Sequence, residues 1–167
     1  MLLTTIEELR ALSPTSKWAD AELKHLLSLI EEEEEGILTS ILGDELYEQI
    51  NLDYSETQGG FTEVEPAKQK IIRCCQRIVY YRMLANNSGL FSVSFNRGGG
   101  LSMMSTDSYE PADNETIKRF ERDAWGKSNS NIETLLGYLE KDAKNDKFYS
   151  ELWVKSDYYF YHKNLLF

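Results

Sequence analysis

The segment from Pro66 to Asn87 constrains this chain more than any other, because it reads as one uninterrupted amphipathic helix in mid-sequence. Proline suits the first helical turn, where its missing N–H has no intrahelical partner to lose, and Asn87-Ser88-Gly89 suits the exit. At about 100° per residue, Ala67, Ile71, Ile72, Cys74, Cys75, Ile78, Val79, Met83 and Ala85 share a broad apolar arc. Gln69, Lys70, Arg73, Gln76, Arg77 and Tyr80 fall opposite. Such a segment is expected to form the central helix of a mainly α bundle, with an apolar front and a basic back.

The flanks supply helices to pack on it. Thr5-Ile6-Glu7-Glu8 is a capping box opening a short helix to Leu12, stopped by Ser13-Pro14. A longer helix is predicted from Ser16 or Asp20 to Leu42, with Leu23, Leu26, Leu27, Ile30, Ile37, Leu38 and Ile41 inward at spacings of three and four. Gly43 ends it, and Asp44 caps a short helix through Ile50 before a polar loop from Asp53 to Phe61.

Beyond the central helix, Phe91-Ser92-Val93-Ser94-Phe95 alternates with period two, and Asn96-Arg97-Gly98-Gly99-Gly100 separates it from Leu101-Ser102-Met103-Met104-Ser105. This predicts a β-hairpin over about 91–106 with an exposed tip at Gly98–Gly100, suited to a contact finger. A phosphate cradle would need a Lys-Ser/Thr ending and a helix start directly after the glycines, and the sequence has neither. Helices are then predicted from Asp113 to Trp125 and from Asn131 to Ala143, with Gly126–Ser130 breaking or weakening the connection. These elements make one domain over 1–143. The aromatic stretch 144–167 is expected to dock on that core or on a neighbouring subunit.

Charge is segregated along the chain. Residues 1–65 hold 16 acids and 3 bases, residues 66–106 hold 6 bases and no acid, and residues 107–167 hold 12 acids and 9 bases. The overall charge of −10 argues against a general binder of nucleic acid or anionic membrane. The acidic run Glu31–Glu35 interrupts the apolar stripe of the second long helix. Glu32 and Glu35 fall on its solvent side, but Glu34 projects near the centre of the apolar arc and needs a partner there. Lys68 or Arg82 of the central helix is the partner expected.

No chemistry-bearing motif emerges. His25 and His162 are isolated from any zinc spacing, no serine sits in a Gly-x-Ser-x-Gly elbow, and no metal or organic cofactor is expected. Cys74 and Cys75, adjacent on a helix, read as small buried hydrophobes rather than a disulfide. No apolar run approaches the ~20 residues of a membrane span, and the N-terminal residues lack a signal-peptide pattern, so the expected location is intracellular. An enzyme is not expected, although one without a recognisable nucleophile remains an alternative.

The order of elements resembles the head–tail connector (adaptor, or head-completion) proteins of tailed double-stranded-DNA phages and prophages, in the variant where an all-helical connector carries a β-hairpin. The likeness rests on Leu3-Thr4-Thr5-Ile6-Glu7-Glu8-Leu9, on the helix from Leu23 to Ile41, and on Ile41-Leu42-Gly43-Asp44-Glu45-Leu46-Tyr47. Pro111-Ala112 before a helix and Leu135-Leu136-Gly137-Tyr138-Leu139-Glu140 near its end extend it. The resemblance implies a non-enzymatic virion protein. Such proteins form rings, commonly of twelve subunits, between portal and tail, with DNA passing through the lumen. It implies assembly in the bacterial cytoplasm and residence in the virion neck, with the chain itself, the portal and tail-completion proteins as partners. The aromatic extension after Ala143 departs from the small connector pattern. In a ring each subunit offers two different complementary faces, and the residues expected there are Lys70, Arg73, Arg77, Glu32, Glu35 and, at the hairpin tip, Arg97. A nucleic-acid-binding module using Lys70, Arg73, Arg77 and the Gly98–Gly100 tip is the rival reading.

Overall fold

Five α-helices account for nearly everything that the computed structural model describes, namely residues 2–3, 5–12, 20–56, 66–88, 114–144, 149 and 151–153. They are α1 (Ile6–Leu12), α2 (Asp20–Leu42), α3 (Asp44–Glu56), α4 (Pro66–Asn86) and α5 (Asn114–Lys144). No strand occurs among the described residues, and the hairpin expected over 91–106 lies outside them. The fold is mainly α, and α4 is its centre: it packs against α1, α2 and α5, its contact with α5 being the most extensive between any two helices.

Local chemistry sets the helix ends. The capping box forms as expected, with the Thr5 amide donating to Glu8 Oε2 at 2.9 Å and the Glu8 amide donating to Thr5 Oγ1 at 3.2 Å. Gly43 adopts φ +81°, a conformation that a side chain resists, and so separates α2 from α3 in a single residue. Its amide donates to the Thr39 carbonyl and its own carbonyl accepts from Tyr47, so one residue closes one helix and starts the next.

Two boundaries differ from expectation. Helix α3 continues past Ile50 to Glu56, so Asp53 is helical rather than in a loop. Its buried face, Leu46, Ile50 and Tyr54, keeps the four-residue spacing that carries it on. Helix α5 runs unbroken through Gly126–Ser130. Ala124, Ser128, Ile132, Leu135 and Leu139 stay in phase and are all buried, and packing along α4 outweighs the poor helix propensity of the glycine and serines. Ser128 is fully buried, and its hydroxyl donates to the Ile78 carbonyl of α4 at 3.3 Å.

The core contains a polar clamp. Glu34 of α2 is only 2% exposed, and both its carboxylate oxygens accept from the Leu2 amide, at 2.7 and 2.9 Å. The Tyr47 hydroxyl of α3 donates to the same carboxylate at 3.2 Å. From α4, the Gln76 side-chain amide, also buried, donates to the Leu2 carbonyl at 2.7 Å. Both main-chain groups of Leu2 are thus held by side chains, while the Leu2 and Leu3 side chains are completely buried. The expectation that Lys68 or Arg82 would partner Glu34 is corrected. Lys68 pairs with Asp53, and the Arg82 guanidinium lies 3.8 Å from the centroid of the Trp125 ring. A main-chain amide and a hydroxyl, rather than a side-chain cation of α4, donate to the carboxylate. Burial still raises the carboxyl of Glu34 above its ordinary value, against the positive charge of the N-terminus and the donors from Leu2 and Tyr47, which favour its charged form, and burial together with Glu34 raises the hydroxyl of Tyr47.

Two tests follow from this packing. Gly126 is exposed with open space where a Cβ would sit, so Gly126→Ala should stabilise by about 0.5–1 kcal/mol. Two residues on, Ser128→Leu should destabilise by about 1–3 kcal/mol through overpacking, and urea denaturation measures both signs. Glu34→Ala leaves the Leu2 amide and Tyr47 hydroxyl without their acceptor and should cost about 2–4 kcal/mol. Glu34→Gln, which keeps one acceptor oxygen, should cost less. Because a raised carboxyl keeps its proton longer in the folded chain, the Gln variant should gain on the wild type as pH rises above 4.5.

Candidate assembly interface

Burial on three sides narrows the basic back of α4 to a single row. Gln76 and Tyr80, expected on the outer side, are buried. Pro66, Lys70, Arg73, Arg77 and Tyr81 keep contact with solvent and, recurring every three or four residues, form one line along the helix, with Gln69 half-buried beside it and Arg82 and Asn86 reaching solvent on another side. Lys70 and Arg77 are exposed, whereas Arg73 is half-buried and turned inward. Its guanidinium donates to Gln76 Oε1 at 3.2 Å, which ties it to the clamp residue that holds Leu2. Burial and then the Arg77 charge lower its proton affinity, and Glu8 of α1 opposes them. Lys127 of α5, 5.3 Å above the centroid of the Tyr81 ring, extends the row by one more exposed cation.

The acidic surface lies elsewhere. Glu31, Glu32, Glu33 and Glu35 of α2 are exposed, as are Asp44, Glu45 and Glu48 of α3. Of the residues expected at an interface, the structure therefore places Lys70, Arg77, Glu32 and Glu35 at the surface and Arg73 partly inside, while Arg97 lies outside the described residues. At the edge of the α2–α4 contact, the Asn86 side-chain amide donates to Glu33 Oε2 at 3.3 Å.

A second, partly buried polar junction joins α3, α4 and the C-terminal segment. Asp53 accepts from Lys68 Nζ at 2.6 Å, the Tyr149 hydroxyl at 2.7 Å and Gln49 Nε2 at 2.9 Å. Lys68 also lies 5.5 Å from the centroid of the Tyr149 ring. Burial would raise the carboxyl of Asp53, but these three donors outweigh it and hold it below its ordinary value. Tyr149 and Trp153 are buried in the core, so this part of the aromatic extension docks on its own subunit. Sequence reasoning missed Asp53 because it assigned the residue to a loop. The signal was the spacing of Leu46, Ile50 and Tyr54.

Cys74 and Cys75 are free and buried, and burial raises both thiols. Among the described residues, no group of three His, Cys, Asp or Glu is placed to hold a metal, and no helix is long and apolar enough to cross a membrane. Compared with protein-family models, with curated proteins and with solved structures, the chain matches none.

The Asp53 junction makes a pH prediction. With its folded value lowered, the unfolded chain takes up a proton that the folded chain refuses, so stability falls as pH falls. The contribution is complete above the ordinary value of 3.8 and is lost through the lowered one. Asp53→Asn should therefore be less stable than the wild type at pH 7, with the gap closing below about pH 4 in a series of urea titrations.

Proposed function

We propose that the chain is a structural subunit of a tailed-phage or prophage particle, of the head–tail connector kind, working as a homo-oligomeric ring. One observation supports this reading: the exposed bases of α4 and the exposed acidic run of α2 stand on different helices of one body. Lys70 and Arg77 line α4, while Glu31–Glu33 and Glu35 line α2. A subunit with two unlike, complementary faces associates head to tail, and head-to-tail contacts close into rings when the rotation permits. The resemblance in helix order supplies the particle. On this reading the protein acts between portal and tail, contacts those two neighbours, and lets DNA pass through an acidic lumen without holding it. The hairpin expected at 91–106, with Arg97 near its tip, is the natural finger toward a neighbour.

The extended row of Lys70, Arg77 and Lys127 also favours one second reading, a nucleic-acid-binding surface. The two differ in their salt response: phosphate binding weakens steeply and linearly with the logarithm of salt concentration.

The residues to test are Lys70 and Arg77 rather than Arg73, because Arg73 is tied to Gln76 and a change there disturbs the fold as well as the surface. Lys70→Glu combined with Arg77→Glu should leave the helical circular dichroism unchanged and lower self-association at least about tenfold in sedimentation velocity, like-charge contacts across an interface being costly. An unchanged distribution of oligomers overturns the reading.

A further inference from the structure

A groove runs between α2 and α4, about 390 Å³ in volume and open to solvent, lined by Glu32, Glu33, Gly36, Ile37, Ser40 and Arg82. Gly36 borders open space, no atom lying within 4 Å of where its Cβ would be. Two carboxylates stand at it against one guanidinium, and that guanidinium is stacked on the Trp125 ring. Its surroundings on α2 are acidic as well, with Glu31 and Glu35 exposed beside it. A groove of this size has room for one or two long side chains.

The groove and the basic row stand in a definite relation on α4. At about 100° per residue, Arg82 and Asn86 lie roughly 120–180° around the helix from Lys70 and Arg77. A surface that lies so far around from its complement cannot be satisfied by a two-fold pairing of the same patch. It is satisfied by a neighbour presenting its other side, and that neighbour's free side then repeats the contact.

We infer that this groove receives the Lys70–Arg77 row of a second copy of the chain in a head-to-tail contact. Lys70 and Arg77 lie one above the other on α4, two turns apart, so both reach the acids of one neighbouring α2. The long apolar stems of lysine and arginine pack on Gly36 and Ile37 while their charged ends meet Glu32 and Glu33. This inference rests on the ring reading above and names the surface that reading would use.

The test uses the full-length protein as a mixture of isotopically labelled and unlabelled chains. Zero-length carbodiimide coupling joins a lysine to a touching carboxylate, and mass spectrometry reports whether the two came from different chains. The expected product is an interchain isopeptide bond from Lys70 to Glu32 or Glu33. Arg77→Glu and Glu33→Lys, each alone, should weaken association about tenfold or more, and the two together should recover most of it. Oligomers that form without this bond and without recovery in the double variant overturn the groove while leaving the ring reading intact. A chain that stays monomeric at every concentration and salt overturns both. Salt-sensitive binding of duplex DNA that Arg77→Glu abolishes assigns the row to phosphate and also overturns the inference.

Discussion

A carboxylate in the middle of an apolar helix face must be matched or the fold fails, and Glu34 is the residue around which the described structure is reconciled. Its partners come from three places: the Leu2 amide, the Tyr47 hydroxyl on α3, and, through the Leu2 carbonyl, Gln76 on α4. One buried polar set thereby ties α2, α3, α4 and the N-terminal residues into a common arrangement. The amide and hydroxyl donors and the positive charge of the N-terminus together offset part of the cost of burying the carboxylate. Partly filled, the same set would be worse than an apolar core. This makes residues 2–3 part of the interior rather than a trailing end.

Asp53 performs the corresponding task at the other end of the bundle. It draws Lys68 of α4 and Tyr149 of the C-terminal segment onto α3. Here the carboxylate is less buried and meets a true cation, so its proton affinity moves down where that of Glu34 moves up. The same side-chain chemistry shifts in opposite directions because desolvation dominates in one setting and hydrogen-bonded charge in the other. Between the two junctions, α4 and α5 supply the long apolar seam, with Ser128 letting the helices approach and satisfying itself on the Ile78 carbonyl.

These commitments decide which charges are left for the surface. Arg73, Lys68 and Arg82 are all on α4 and all look alike in sequence, yet each is used inside: Arg73 on Gln76, Lys68 on Asp53, Arg82 on Trp125. Lys70 and Arg77 remain outward, and they face away from the acids of their own α2. An exposed basic row and an acidic groove on different sides of one subunit would suit a head-to-tail assembly. The reading of the chain as a ring subunit draws its physical content from that remainder, and its placement in a phage particle from helix order.

Periodicity, a helix-starting proline and a capping box were enough to determine from the sequence that α4 is central, that Thr5 caps the start of α1, that Gly43 divides α2 from α3 and that both cysteines are buried. These are local properties, set by the backbone and by the phase of apolar residues within one helix. The phase of Leu46, Ile50 and Tyr54, and of Ala124, Ser128 and Ile132, also held the true extents of α3 and α5, but turn-forming residues nearby masked it. Only the tertiary structure decided that Gln76 and Tyr80 are interior, that Glu34 takes an amide and a hydroxyl rather than Lys68 or Arg82, and which arginines stay outside. A helical wheel assumes one buried side, whereas α4 is covered by three neighbours. The pairing of a polar side chain depends on which of several chemically equivalent donors the packing brings within 3 Å.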